Sequence, residues 1–303
     1  MKEVTLLEYV DYFIAHHDGA ASTRIKIGHL LRKATDEFGR ATLGDLSTPQ
    51  LRAWRCALRD AHQDSREPFE AFQALRQVLA QAVSEQIIDR NPSDGIRNPK
   101  PRPAEVEAFC TWSQVDAFTA EFPAHYRPMI GFWAATGLRP AELFALEWRD
   151  VDLSGRRIHV RRQLVDGETK APKTTRSSRT VPLNEKARSA LAVVSARTEA
   201  EEGIIFKTQI GTSINLRRWR KRTWHSAVEA AGLRSRKPYV MRHTYATLAL
   251  RSGQSTYEVS RWMGTSIAMI DAHYGHLAAD ALDAAIERFN SYVGGHPEET
   301  NQT

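Results

Sequence analysis

Cysteine is nearly absent from this chain of 303 residues, since Cys56 and Cys110 are the only two and lie far apart in sequence. A disulfide framework and a CxxC metal or redox site are therefore excluded. No apolar run approaches the roughly 18 uninterrupted residues that a membrane span needs. The first residues, MKEVTLLEYVDYF, are acidic and amphipathic, unlike a signal peptide. Together these features predict a cytoplasmic protein.

Positive charge is concentrated in the middle of the chain. Residues 104–265 hold 26 Lys/Arg against 16 Asp/Glu, whereas residues 266–303 hold 1 against 6. An excess of this kind, much of it arginine, indicates a polyanionic partner, because the planar guanidinium group suits phosphate oxygens. Nucleic acid is the first expectation, and an anionic membrane surface is the weaker alternative.

The first ninety residues have the apolar spacing of helices, with predicted helices at about 23–38 and 67–86. A further helix is predicted with Thr48 as its N-cap and Pro49 as its first residue. The following segment, NPSDGIRNPKPRP, contains four prolines and a glycine and breaks this periodicity. It predicts a stiff, extended linker. We therefore divide the chain into a helical domain at 1–90, a linker at 91–108, a second domain at 109–290 and a polar tail at 291–303.

In the second domain, helical patterns flank a part rich in strands. A helix is predicted from Tyr126 to Thr136, ended by Gly137, and Pro140 begins another that carries Trp148. Alternating residues at 156–165 and 179–183 predict two strands of a β-hairpin with a long basic tip. Further helices are predicted at 215–231, 241–251 and 268–274. The predicted fold class is mostly α with a small β-sheet.

Four local motifs stand out in this domain: ATGLRPAEL (135–143), KAPKTTRSSRTVPL (170–183), YVMRHTYATLAL (239–250) and MGTSIAMIDAHYGHL (263–277). Each alone has an ordinary structural explanation, such as a surface arginine or a core aromatic. Their combination and order make a functional interpretation the better one.

With these motifs in this order, the chain resembles the tyrosine recombinase, or phage integrase, family over essentially its whole length. The resemblance implies a helical, SAM-like core-binding domain at 1–90 and an α+β catalytic domain at 109–290. It implies that Arg139 is the first catalytic arginine and Glu142 its supporting acid. It further implies that Lys173 is the hairpin lysine, Arg242 the second arginine and Tyr274 the nucleophile.

Two positions depart from the family pattern. Tyr239 lies three residues before Arg242, where the family commonly has histidine, and Thr265 occupies another position at which histidine or tryptophan is usual. A tyrosine, whose ordinary pKa is about 10, accepts a proton poorly at neutral pH. Both hydroxyl groups can still donate to a phosphate oxygen.

The proton acceptor for the nucleophile is thus open. We do not expect it to be His243, because one residue further along a helix points to a different face. His273 and His276, which flank Tyr274, are the better candidates, with packing or capping as their alternative role.

The chemistry of these residue types agrees with the resemblance. Attack on a phosphodiester builds negative charge on the non-bridging oxygens, which Arg139 and Arg242 would stabilise. The same guanidinium groups would favour the phenolate of Tyr274. Lys173 would protonate the leaving 5′ oxygen, and a 3′-phosphotyrosine would conserve the bond energy without ATP. No metal-binding motif is present, and no cofactor is expected.

Two basic runs are interpreted as phosphate contacts, with solvated helix faces as the alternative. The predicted DNA-binding residues are Arg176, Arg179, Arg217, Arg218, Arg220 and Lys221.

The leading hypothesis is a site-specific DNA integrase, bacterial or phage-encoded and associated with the nucleoid. Its expected partners are double-stranded DNA with a core-type site, three further copies in a tetramer on DNA, and accessory DNA-bending proteins. The alternatives are a type IB topoisomerase-like relaxing enzyme and a catalytically silent DNA-binding regulator. The apolar face of residues 281–289 is expected to pack either on a neighbouring subunit, as the family implies, or on its own chain.

Overall fold

Two structural units, each with its own hydrophobic core, make up the chain in a computed structural model. The structure describes residues 4–62, 65–101, 107–165, 167–171, 178–197, 202–279 and 282–294. The units are Met1–Ala104 and Glu105–Thr303. The first is helical, and the second combines helices with small antiparallel sheets. The predicted fold class is therefore confirmed.

The described part of the first unit contains α1 (Leu6–Ala15), α2 (Ala21–Phe38), α3 (Thr48–Ala61) and α4 (Glu67–Ser84). Helix α3 begins one residue earlier than predicted: Ser47 is its N-cap, and the Gln50 side chain accepts from the Ser47 backbone N–H at 3.1 Å. Phe72 and Leu75 on α4 are completely buried in the core that the helices share. Apolar spacing at helical period therefore predicted these elements well.

The segment at 91–98 differs from the predicted extended linker, because it folds back onto α4. Ile96 is buried in the core of the first unit, and its carbonyl accepts from Arg76 Nη2 at 2.6 Å. Asn98 Nδ2 donates to the carbonyl of Phe69 at 3.1 Å. Proline breaks helical periodicity without preventing such turns from packing, so this part is structural rather than a spacer.

The helices of the second unit are, in chain order, α5 (Trp112–Ala120), α6 (Arg127–Thr136), α7 (Pro140–Leu143), α8 (Glu185–Ser195), α9 (Leu216–Trp219), α10 (His225–Ala230), α11 (Val240–Arg251), α12 (Thr256–Met263), α13 (Ile267–Ala279) and α14 (Leu282–Gly294). A π-helical turn, Arg220–Trp224, joins α9 to α10, so that the predicted 215–231 helix is continuous. Helix α6 packs against α5, α8 and α11 and is buried over most of its length. The helix from Pro140 is shorter than predicted, and Trp148 begins a separate 3₁₀ turn.

The strands are β1 (Val151–Asp152), β2 (Arg157–Val160), β3 (Gln163–Val165), β4 (Glu168–Lys170) and β5 (Arg179–Pro182). Strands β1, β2 and β5 form one antiparallel sheet in that order, with Ile158 opposite Val151 and Val181. Strands β3 and β4 form a second, separate pair. The predicted single strand at 156–165 is wrong, because the chain changes pairing partner at Arg161 and Arg162. There the Arg162 guanidinium pairs with buried Asp150 at 3.1 Å.

Candidate functional site

A sharp turn between α6 and α7 positions Arg139. Gly137 ends α6 with a left-handed φ of 63°. A Cβ atom at Gly137 would lie 2.3 Å from the Tyr245 ring, so that only glycine fits both the conformation and the space. Arg139 then precedes α7 with its side chain 32% exposed. Its Nη1 donates to Glu142 at 2.8 Å and its Nη2 to the Gly264 carbonyl at 2.7 Å.

Glu142 lies between two arginines. Its side chain is 5% exposed, and its two oxygens accept from Arg179 Nη1 and Nη2, each at 2.8 Å. The carboxylate also accepts from the Arg139 backbone N–H at 2.8 Å. Burial alone would raise the pKa of this carboxyl group, but Arg179 and then Arg139 hold it below its ordinary value. Glu142 is therefore an ionised anchor for both guanidinium groups.

Arg179 differs from the surface DNA contact that the basic run predicted. Its side chain is 5% exposed, because both terminal nitrogens are bound to Glu142 and Nε donates to the Trp262 carbonyl at 2.6 Å. A guanidinium group in this environment supports its neighbours rather than meeting the DNA backbone. The burial of Arg179 therefore weighs against the DNA contact that was predicted from the basic run.

Arg242, on α11, is 2% exposed. Nη1 donates to the Gly137 carbonyl at 2.8 Å, and Nη2 donates to the Met263 carbonyl at 2.5 Å. Burial lowers the pKa of Arg242 to about 10, so that the group stays charged at neutral pH. The turn that positions Arg139 thus also binds Arg242.

The end of α12 holds all three arginines through its backbone. The carbonyls of residues 262, 263 and 264 accept from Arg179, Arg242 and Arg139 in that order. The last carbonyls of a helix have no partners within the helix and carry the negative end of its dipole. We call Arg139, Arg179 and Arg242, together with Glu142, the arginine cluster. It is held in place before any substrate arrives.

Tyr274 lies on α13, which packs against α11, and its side chain is 6% exposed. Its hydroxyl group contacts Nδ1 of His243. Burial raises the pKa of the phenol, as does nearby Tyr239, whereas the positive charge of Arg242 lowers it. The expected nucleophile and the second expected arginine are therefore close enough to interact electrostatically.

His243 is the site residue that the sequence interpretation set aside. Because it follows Arg242 on α11, it does point to a different face, as expected, but α13 covers that face. Its ring lies 5.8 Å from the Tyr274 ring, 5.2 Å from Tyr239 and 6.5 Å from His273. Burial, followed by electrostatic interaction with His273 and then with Arg242, lowers the pKa of His243 to about 4. The imidazole is therefore neutral at neutral pH.

Tyr239 and Thr265 both lie next to the arginine cluster. Tyr239 precedes α11, is 40% exposed and has the Arg242 guanidinium carbon 5.9 Å from its ring centre. Thr265 follows the left-handed Gly264 and lines an open cleft of about 610 Å³, together with Arg179 and Arg261. A phosphate-sized group in this cleft would meet the Thr265 hydroxyl group and the exposed Arg261 guanidinium group, whereas the Arg179 nitrogens are already bound.

Three predicted residues cannot be placed with the others. Lys173 and Arg176 fall outside the described residues, in the stretch between β4 and β5. The backbone of His276 continues α13, but its side chain lies outside the described part of the chain.

The second basic run forms an exposed surface on α9 and the π-helical turn. Arg217, Arg218, Arg220 and Lys221 are all exposed. Trp219, which lies among these residues, and Trp224, which follows them, are buried in the core. Their burial holds the basic face toward solvent.

In the described part of the chain, no three His, Cys, Asp or Glu side chains are arranged to hold a metal ion. None of the helices described is both long enough and apolar enough to cross a membrane.

Comparison with known proteins identifies the relatives of this chain. Residues 102–280 match the model of the phage integrase family. The integrase of Mycobacterium phage FRAT1 is 26% identical over 96% of this chain and 89% of its own length. The tyrosine recombinase XerC of Pseudomonas fluorescens is 28% identical over 84% of this chain and 82% of its own length.

Solved structures show the same fold. The Tn1549 transposon integrase in complex with circular intermediate DNA aligns with a TM-score of 0.78 and 20% identity, over 94% of this chain and 99% of that chain. The lambda integrase tetramer bound to a Holliday junction aligns with a TM-score of 0.69 and 15% identity, over 87% of this chain and 78% of that chain. On the family match, the four motifs and the geometry above, this chain belongs to the phage integrase family and is a site-specific tyrosine recombinase.

Proposed function

We propose that this recombinase cleaves one DNA strand by attack of the Tyr274 hydroxyl oxygen on a backbone phosphorus. The step leaves a 3′-phosphotyrosine on the protein and a free 5′-hydroxyl group on the DNA. A 5′-hydroxyl from another strand then attacks the phosphotyrosine, so that the strands are exchanged without ATP. No observation favours the topoisomerase-like or silent-regulator alternatives.

One observation carries this proposal. Segments far apart in sequence place Tyr274 in the electrostatic field of Arg242, and Arg242 is held by the Met263 carbonyl, next to the Gly264 carbonyl that holds Arg139. Buried, fixed cations beside a nucleophile are the arrangement that stabilises charge developing at phosphorus. Neither the motif that contains Arg242 nor the motif that contains Tyr274 reveals this arrangement by itself.

The roles of the site residues follow from their exposure. Arg139, with 32% of its side chain exposed, contacts the phosphate directly, whereas the buried Arg242 supplies positive potential from behind. The hydroxyl groups of Tyr239 and Thr265 donate to phosphate oxygens. Lys173 protonates the leaving 5′ oxygen, as the family resemblance implies.

Double-stranded DNA with a core-type site is the proposed substrate, met in the cytoplasm. The exposed basic run on α9 and the π-helical turn follows the phosphate backbone without reading the sequence. Strand exchange requires two duplexes in one assembly, for which we propose a tetramer on DNA. Accessory bending proteins remain a prediction.

Helix α14 is the proposed contact between subunits. Ile286, Phe289 and Val293 are 49%, 68% and 62% exposed, which leaves an apolar face uncovered in a single chain. Light scattering on the complex with DNA measures whether four chains assemble, and Phe289→Asp should reduce that mass.

The proposed nucleophile is tested with a suicide substrate nicked next to the cleavage position. Tyr274→Phe removes one oxygen and little volume, so that DNA affinity should survive while the covalent adduct disappears. Tyr239→Phe is the matched control and should still form the adduct. An adduct that persists in Tyr274→Phe, or that peptide mapping assigns to Tyr239, would overturn the mechanism.

A further inference from the structure

The phenol proton of Tyr274 must leave as its oxygen attacks phosphorus. The position at which relatives commonly carry histidine holds Tyr239, whose own phenol is a weak base at neutral pH. Solvent has little access either, because Tyr274 is 6% exposed. An acceptor within the protein is therefore needed.

The geometry offers one acceptor in direct contact. His243 Nδ1 contacts the Tyr274 hydroxyl group. A phenol O–H donates, and Nδ1 accepts when the ring proton is on Nε2. Helix α11 thus directs Arg242 to the Met263 carbonyl at the end of α12 and directs the next residue to α13.

The surroundings of the ring keep it available as a base. The titratable groups that face it are Tyr239 and Arg242 from α11 and its N-cap, and His273 and Tyr274 from α13. Burial, followed by the electrostatic effects of His273 and Arg242, lowers the pKa of His243 to about 4. The ring is therefore unprotonated when DNA arrives. The negative phosphate then favours the imidazolium form as the proton moves.

We propose that His243 takes the phenol proton of Tyr274 during strand cleavage and returns it during religation, an inference that rests on the function proposed above. In cleavage, the bond from the Tyr274 oxygen to phosphorus forms, the bond from phosphorus to the 5′ oxygen breaks, and the phenol proton moves to Nδ1. The 5′ oxygen takes a proton from Lys173. Religation reverses every transfer, so that no group is consumed.

His273 is the rival acceptor. It adjoins Tyr274 on the same helix, but its ring centre is 6.0 Å away, and the described contacts include no hydrogen bond between the two. Neighbouring residues on a helix do not face each other, which explains the difference from His243.

The experiment measures single-turnover adduct formation on the nicked substrate. His243→Asn and His243→Gln replace the ring with amides that cannot take up a proton. We expect rates about 10²- to 10⁴-fold lower at neutral pH, the usual contribution of general base catalysis, with DNA affinity unchanged. The matched control is His125→Asn, because the His125 ring binds the Lys207 carbonyl, away from the arginine cluster.

A second measurement separates proton transfer from a structural role. Fluorinated tyrosine at position 274 has a more acidic phenol, which depends less on a base. Fluorination, or raised pH, should restore much of the rate in His243→Asn and change the rate of the unmodified protein little. A defect that neither change relieves would show that His243 only packs against Tyr274.

The outcomes also separate this inference from the proposed function. If the unmodified protein forms no adduct, the proposed function fails. If it forms the adduct and His243→Asn is equally fast, or if His273→Asn is the slower variant, the proposed function stands and the role of His243 is wrong.

Discussion

Replacement of Arg179 by methionine tests whether this arginine supports the site from within. Its guanidinium group makes three charge-assisted hydrogen bonds, to the Trp262 carbonyl at 2.6 Å and to the two Glu142 oxygens at 2.8 Å. Hydrogen bonds to charged groups contribute about 1.5–3 kcal/mol each. Two of these three share the Glu142 carboxylate, so their contributions do not simply add. Breaking a buried ion pair from one side typically costs about 3–5 kcal/mol, the loss that we expect in the free energy of unfolding.

The assay is urea unfolding at neutral and at acid pH, with Arg188→Met as the control. Arg188 pairs with Glu185 on a more exposed surface, so its loss should cost about 0–1 kcal/mol. Because Arg179 keeps the pKa of Glu142 below its ordinary value, the stabilisation is present above that value and is lost as pH falls through the lowered pKa. The difference between wild type and Arg179→Met should therefore shrink below about pH 4.

Function gives an independent readout of the same variant. Without Arg179, Glu142 loses one of its two arginine partners and holds Arg139 less firmly. Adduct formation should therefore slow by about tenfold or more, which corresponds to about 1.4 kcal/mol in the activation barrier. The salt dependence of DNA binding should not change, because the side chain is buried. A variant as stable as Arg188→Met, or one with a reduced salt slope, would refute the supporting role and restore the DNA-contact interpretation.

Two further predictions concern DNA. Alanine at Arg217, Arg218 and Lys221 together should lower the slope of log affinity against log salt by about 2.7, at about 0.9 for each phosphate contact, without changing the preferred site; an unchanged slope would place these side chains in solvent. Lys173→Ala should slow cleavage far more than it weakens binding, and a substrate with a 5′-bridging sulfur, which needs no protonation, should recover the rate; a substrate that does not would contradict the acid role.

Sequence reasoning predicted the members of the site better than their arrangement. Arg139, Glu142, Arg242 and Tyr274 could be named from their motifs, because each motif keeps its residue types together in a short stretch. The structure brings these four into one region of the second unit. What the motifs could not show is which of the cations are buried.

The structure places Arg179 and His243 in surroundings that the sequence did not indicate, for related reasons. In the sequence, Arg179 is one cation among many in a basic run, and its burial depends on Glu142, 37 residues away. For His243, the helical face was inferred correctly, but what covers that face depends on the packing of α13, which local periodicity does not reveal. A spacing of four between Tyr239 and His243 was the available sign that both lie on one side of α11.

The predicted strand and linker boundaries differ from the structure where tertiary contacts outweigh the local sequence pattern. The alternation at 156–165 continues through Arg161 and Arg162, yet the acids around Asp150 hold Arg162 and end the first pairing. Likewise, the prolines at 91–103 indicated an extended spacer, whereas Ile96 is buried in the core. Hydrophobic burial of one side chain outweighed the stiffness of the segment.

The charge balance of the arginine cluster explains how it can favour the transition state over bound DNA. Three guanidinium groups, at residues 139, 179 and 242, face one carboxylate, Glu142, which leaves two net positive charges; backbone carbonyls of residues 262–264 stabilise these charges without neutralising them. A phosphodiester brings one negative charge, so that positive potential remains in the complex. The further negative charge that develops as the Tyr274 oxygen bonds to phosphorus is then stabilised by groups already in place. A carboxylate at the end of α12 would have cancelled this advantage, whereas backbone dipoles preserve it.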